Sequence, residues 1–113
     1  MEGYLEKKDE GFFGGGWNKY YFILHEEMLY QLDKKEGGKP LGQVHMQVAK
    51  VQPDKTEKLV MHIFNGTNEI LLRAGSIKDM VEWTNALLTA QKKVNEVRYE
   101  HLKKKARKDS FTS

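Results

Sequence analysis

The spacing of apolar residues changes period once along this chain, at Ser76, and that change restricts the folds open to it. Before Ser76, apolar and polar residues alternate in short runs broken by glycine, proline and acidic pairs, the pattern of half-buried strands. After it, Met80, Trp83, Leu87, Ala90, Val94 and Val97 recur three or four apart with no proline or glycine to interrupt them, which is one face of a helix. Ser76, with Asp79 three residues on, reads as a capping-box-like start to that helix. The helix is expected to run well past Ala90, its outer half increasingly basic.

The segment before it predicts seven short strands. Gly3 to Lys8 is the first, with Tyr4 and Glu6 on one face and Leu5 and Lys7 on the other. Gly11-Phe12-Phe13-Gly14-Gly15-Gly16 is a hairpin loop, because four glycines in six residues sustain no ladder. Trp17 to His25 is the second strand, rich in aromatic and other β-forming residues. Glu26-Glu27 turns the chain into Met28 to Leu32, and Asp33 to Pro40 is a polar loop. Leu41 to Met46 alternates, and Val48 to Val51 is a short strand ended by Pro53. Leu59 to Phe64 and Glu69 to Arg73 form a hairpin around Asn65-Gly66, a strong turn signal. The glycosylation sequon Asn65-Gly66-Thr67 is read as that turn. Strands followed by one helix predict a mainly β fold: a strongly bent, seven-stranded β-sandwich or partly open barrel, capped by one C-terminal α-helix.

Charge is unevenly distributed. The 113 residues carry a net +3, yet from Lys92 onward eight basic residues face only Glu96, Glu100 and Asp109, a local +5 that leaves residues 1–91 at −2. Such a body does not attract anionic surfaces by its overall field, so any recognition of them must be local. Nucleic acid is a poor partner for the same reason, and the aromatics are not interleaved with a basic face. The chain has no cysteine, which removes disulfide and thiol chemistry and points to a reducing, cytoplasmic setting. No apolar run approaches the roughly 18 residues of a membrane span, and no signal peptide is visible. His25, His45, His62 and His101 lack metal-ligand spacing, although His45 and His62 are candidate neighbours across the sheet. Ser76 with any histidine makes no triad. The glycine loop lacks the Lys-Ser/Thr ending of a P-loop and leads into a strand. No catalytic constellation or cofactor site emerges, so the expectation is a non-catalytic module.

Gly3-Tyr4-Leu5-x-Lys7, Trp17-x3-Tyr21-Phe22-Ile23-Leu24, Leu29-Tyr30, Pro40-Leu41-Gly42, Leu72-Arg73-Ala74-x-Ser76 and Trp83-x3-Leu87 stand in this order. In sequence and spacing they resemble the pleckstrin homology (PH) domain over roughly residues 2–95. Among subtypes the chain is similar to the PH domains of four-phosphate adaptor and oxysterol-binding proteins, which start near Met-Glu-Gly and carry an apolar loop before the second strand. The resemblance implies a PH domain over 1–95 and a basic helical extension with a frayed tail over 96–113. The shortness of the chain suggests an excised domain, expected to be a monomer.

The resemblance also implies a ligand, a phosphoinositide headgroup held at the open end of the barrel between the first two strand-connecting loops. Lys7 matches the basic position of the first strand, and Lys8 and Lys19 lie nearby. The position directly before the aromatic pair, usually basic, holds Tyr20; two further pocket positions read Gln31 and Leu41; and Asp9 and Glu10 put acids at the rim. For Lys7 the alternative is a solvated lysine at a strand end. For Lys19, alternation sends the side chain to the face opposite Tyr20 unless a bulge restores it. Phe12 and Phe13, at the tip of the glycine loop, are candidates for membrane insertion, the alternative being a loop folded back on Trp17. Lys103-Lys104-Lys105-Ala106-Arg107-Lys108 is a candidate second membrane signal, with Ser110 in a sequence like a basophilic kinase site. The function implied is targeting to a phosphoinositide-containing membrane surface, as a peripheral protein of modest affinity. The alternative is a PH scaffold without lipid binding that contacts a protein partner through the C-terminal basic helix.

Overall fold

The computed structural model describes residues 1–10 and 15–91. Phe12 and Phe13, the extension over 96–113, and the outer helical positions Val94 and Val97 lie outside the described residues.

Seven strands are present: β1 (Glu2–Lys8), β2 (Trp17–His25), β3 (Met28–Leu32), β4 (Pro40–His45), β5 (Lys50–Pro53), β6 (Val60–Phe64) and β7 (Glu69–Arg73). They form one antiparallel sheet in the order β4-β3-β2-β1-β7-β6-β5, left open between its two edge strands. The helix α1 occupies residues 77–91 of the described chain. Ser76 starts it as expected: its hydroxyl accepts from the Asp79 N–H at 3.1 Å and its carbonyl from the Met80 N–H at 2.9 Å. None of the described helix is long and apolar enough to cross a membrane.

The sheet curls around one core, and side-chain alternation decides what enters it. Gly3, Leu5 and Lys7 share the inner face of β1, and the register Leu5↔Tyr20 puts Asn18, Tyr20 and Phe22 on the same face of β2. Leu5, Phe22, Leu29, Met61, Ile63 and Leu72 are buried there, and α1 adds Met80, Trp83 and Leu87. Burying such side chains stabilises by roughly 1.5–3 kcal/mol each. Those three helical residues therefore rival the whole net stability of a domain this size, about 5–15 kcal/mol. α1 is thus the plug that makes a bent, open sheet a stable domain.

The stretch after β4 differs from expectation. Met46–Val48 is a 3-10 turn, not the end of one strand and the start of another. The Gln47 N–H donates to His45 Nδ1 at 3.2 Å and the Ala49 N–H to the Met46 carbonyl. This corner drives Met46 fully into the core and leaves Val48 exposed. β5 then runs through Pro53 rather than stopping before it. β5 is an edge strand paired only with β6, and an edge tolerates a residue with no N–H to donate. The Asn65-Gly66 turn forms as predicted: Gly66 adopts φ +102 and Asn65 Oδ1 accepts the Thr67 and Asn68 N–H groups at 3.1 and 2.8 Å.

Candidate functional site

The open end of the sheet, where β1 leaves and β2 returns, holds a cluster centred on a carboxylate. Lys7 and Asn18 are register partners on the inner face, with Tyr20 beside them. Asp9 follows immediately, its N–H donating to the Gly16 carbonyl at 2.9 Å to close the base of the hairpin. Gly15 is required beside it, because a Cβ there would overlap the Asp9 carbonyl oxygen. The Asp9 side chain turns inward. Its Oδ2 accepts from Asn18 Nδ2 at 2.8 Å and from the Tyr20 hydroxyl, and its Oδ1 lies 3.7 Å from Lys7 Nζ.

The electrostatics follow from that packing. Partial burial pushes the Asp9 carboxyl up, but the hydrogen bonds from Tyr20 and Asn18, together with the Lys7 ammonium, outweigh it and hold the group below the ordinary carboxylate range. The Tyr20 phenol moves the other way, raised by its hydrogen bond to Asp9 and by burial. At neutral pH the cluster is therefore a carboxylate anion saturated by one cation and two neutral donors.

Of the three lysines singled out in the sequence, Lys7 and Lys8 line one cleft and Lys19 stands apart. Lys7 is on the inner face, engaged with Asp9. Lys8 is opposite Trp17 in the register and lines an open cleft of about 580 Å³ between the end of β1 and the β6–β7 turn, with Lys7, Asp9, Glu10, Thr67, Asn68 and Glu69 among its other walls. Lys19 faces the other way: alternation carries it to the outer face, where its ammonium sits 5.8 Å from the centre of the Tyr4 ring, a cation–π placement. No bulge interrupts the β1–β2 register. Tyr4 is itself tethered, edge-on to Tyr21 at 5.0 Å and accepting from the Lys35 N–H at 3.3 Å, so the loop between β3 and β4 leans on the outer face. Gln31 and Leu41 lie on β3 and β4.

Two further groupings were not visible in the sequence. Arg73 donates through Nε to Glu6 Oε2 at 3.1 Å, with a second bond from its terminal nitrogen, and its guanidinium lies 4.4 Å from the centre of the Trp17 ring. These residues are on the outer face, beside a second cleft of about 310 Å³ that reaches Asp54 and Glu57. His62 is held between Asp54 and Glu69, Nε2 to Asp54 Oδ1 at 2.6 Å and Nδ1 to Glu69 Oε1. It does not neighbour His45: β6 pairs with β5 and β7, β4 only with β3. Its two carboxylates raise the His62 pKa, Asp54 more than Glu69 and both against a smaller opposing effect of burial. Among the described residues no group of three His, Cys, Asp or Glu is placed to hold a metal ion.

The sequence model of the PH domain family matches residues 1–92. Among solved structures, the PH domain of human oxysterol-binding protein-related protein 11 superposes with a TM-score of 0.75 at 20% identity, covering 86% of this chain and 83% of that one. The PH domain of human TBC1 domain family member 2 gives 0.76 at 20% identity, covering 85% and 83%. The C-terminal PH domain of pleckstrin, solved in complex with the inositol pentakisphosphate D-myo-Ins(1,2,3,5,6)P5, gives 0.72 at 26% identity, covering 80% and 93%. No curated protein matches the chain. With the open seven-stranded antiparallel sheet and its C-terminal helix, a match over residues 1–92 makes this chain a member of the PH domain family.

Proposed function

We propose that this PH domain is a non-catalytic membrane-targeting module that binds a phosphoinositide headgroup weakly at the open end of its sheet. The observation that carries the reading is Lys7, which projects from the inner face at that end beside an open cleft it shares with Lys8. An ammonium at a cleft mouth is what a phosphate requires, since charge-assisted hydrogen bonds to phosphate are among the strongest available. The pleckstrin domain similar to this chain holds an inositol pentakisphosphate, which supports the ligand class. Modest affinity follows from the surroundings: Asp9 competes for Lys7, and Lys19 sits with Tyr4 on the outer face. Phe12 and Phe13 supply apolar insertion and the basic segment 103–108 a second electrostatic contact. The protein then works at the cytoplasmic side of a membrane as a peripheral monomer.

Flotation with liposomes tests this. Vesicles doped with single phosphoinositides should carry the protein at near-physiological salt, whereas neutral and phosphatidylserine vesicles should not. Lys7→Ala should reduce flotation, as should Phe12→Ala/Phe13→Ala, with folding intact by circular dichroism. Unchanged flotation in both variants refutes the assignment.

The second reading, a PH scaffold that docks a protein, is favoured by one observation: the cation at the headgroup position is already paired internally. Absence of flotation at low salt, with a partner captured by the basic helix, would establish it.

A further inference from the structure

Three donors of different chemistry converge on Asp9: the Lys7 ammonium, the Asn18 amide and the Tyr20 hydroxyl. That is the donor set an anionic phosphate oxygen takes, a cation for charge and neutral N–H and O–H groups for direction. We propose that Asp9 is an internal stand-in for phosphate, and that its displacement is the step limiting affinity and setting selectivity at this site. The inference rests on the headgroup reading of the open end.

The geometry separates what is fixed from what can move. The Asp9 backbone is pinned by its N–H to Gly16 and by the close passage of Gly15. Its side chain is about three-tenths exposed, so rotation toward solvent is open to it while the hairpin base stays in place. A ligand phosphate faces two choices. It displaces the carboxylate and inherits all three donors, or it binds beside the carboxylate and meets a like charge at close range. Singly charged lipid headgroups such as phosphatidylserine gain little by exchanging one carboxylate for another. A dianionic phosphomonoester brings more charge to the same donors and wins the exchange. Asp9 thus discriminates against generic anionic surfaces at the expense of affinity for every anion.

The test is a double-mutant cycle of Asp9→Asn and Lys7→Ala. Asn keeps the shape and an acceptor oxygen for Tyr20 and Asn18 but removes the charge. Asp9→Ser serves as a second variant in case Asn perturbs the hairpin, and thermal unfolding confirms folding in each. Two probes are used in parallel: vesicles containing phosphatidylinositol 4-phosphate, and soluble inositol 1,4,5-trisphosphate followed by NMR. The first includes the bilayer and the second presents phosphate alone, which distinguishes a lipid headgroup from free phosphate. Asp9→Asn should strengthen binding by roughly tenfold or more, the gain should vanish when Lys7→Ala is added, and binding to phosphatidylserine vesicles should rise by a larger factor than binding to the phosphoinositide, narrowing selectivity. Equal binding by wild type and Asp9→Asn, with Lys7→Ala weakening both, overturns the role of Asp9 and leaves the headgroup reading standing. A gain that persists without Lys7 also overturns it, since the carboxylate would then act through the overall field. No binding to either probe by any variant at low salt overturns both.

Discussion

Replacement of Gly3 tests how the two ends of the chain meet. Gly3 lies on the inner face of β1 opposite Phe22. A Cβ at Gly3 would stand 3.7 Å from Trp83 Cζ2 and 3.9 Å from Nε1, ordinary van der Waals contact. Gly3→Ala therefore fills existing space without strain and removes a glycine's freedom from the unfolded chain, so it should be neutral or stabilise by roughly 0.4–1 kcal/mol. Gly3→Leu adds a branch whose next carbon reaches about 1.5 Å further, into the indole or off its rotamer. Overpacking of this kind costs roughly 1–3 kcal/mol, a fall in Tm on the order of 4–20 °C for a domain this size. Thermal unfolding gives the sign and size. Tryptophan emission in a Trp17→Phe background, where Trp83 is the sole reporter, should shift to the red in Gly3→Leu and not in Gly3→Ala. The ordering Ala at or above Gly, and Leu well below, is the critical result. Unchanged Tm and emission in Gly3→Leu would mean that the helix does not seat Trp83 on β1.

Three other perturbations separate parts of the molecule. Lys19→Ala should leave inositol phosphate binding within about twofold of wild type, while Lys7→Ala loses roughly tenfold or more, the value of one charged hydrogen bond; NMR titration with a soluble inositol phosphate compares them, and equal losses would contradict the opposed faces of the two lysines. Gly66→Ala forces a side chain onto φ +102 and should cost roughly 1–3 kcal/mol in urea unfolding, with binding unaffected. His62→Gln should alter the pH dependence of Tm. Because the His62 pKa is raised on folding, its stabilisation is complete below the unfolded value of about 6.5 and is lost as pH rises through the folded value. Asp54, depressed first by the Glu57 backbone N–H and then by His62, contributes above its unfolded value of about 3.9 and loses its contribution as pH falls below that. The gap between wild type and His62→Gln should thus be widest between the unfolded values of about 3.9 and 6.5 and narrow as pH rises through the raised folded value of His62, and a pH-independent gap would exclude an ionic role for His62.

Most of the fold was legible because it depends on patterns within single segments. Period-two alternation put Leu5 and Tyr4 on opposite faces, and the same rule sent Lys19 to the face opposite Tyr20. The shift to a three-to-four spacing located α1, and Ser76 marked its start. The corner at Met46–Val48 was missed because the alternation of apolar and polar residues over Val44-His45-Met46-Gln47-Val48 reads as strand. What decides for a turn is that Met46 finds a place in the core, a tertiary fact. At the site, Asp9 could be seen as an acid at the rim, but its contacts with Asn18 and Tyr20 need the hairpin register. Asp54, His62 and Glu69 come from the β5–β6 loop and two neighbouring strands, so only the assembled sheet shows that they meet. Arg73 read as part of a family motif, and its hold on Glu6 and Trp17 depends on β1 pairing with β7, 67 residues apart in sequence.

A common logic links these contacts. Three of the sheet's cations are compensated from within: Lys7 by Asp9, Arg73 by Glu6, and Lys19, more weakly, by the Tyr4 ring. Each arrangement is at least partly exposed, so none contributes much to stability; exposed ion pairs are typically worth about 0–1 kcal/mol. Their larger effect is on the field. With residues 1–91 at −2 overall, that part of the chain presents little free positive charge at distances beyond roughly the 8 Å Debye length of physiological salt, and it contributes no steering toward anionic bilayers of its own. An anion gains only by coming close enough to exchange with a carboxylate already in place. That exchange rewards charge concentrated on one phosphate over charge spread across a surface. On the headgroup reading, a PH domain with an acidic body and a paired lysine trades long-range attraction for discrimination at contact range.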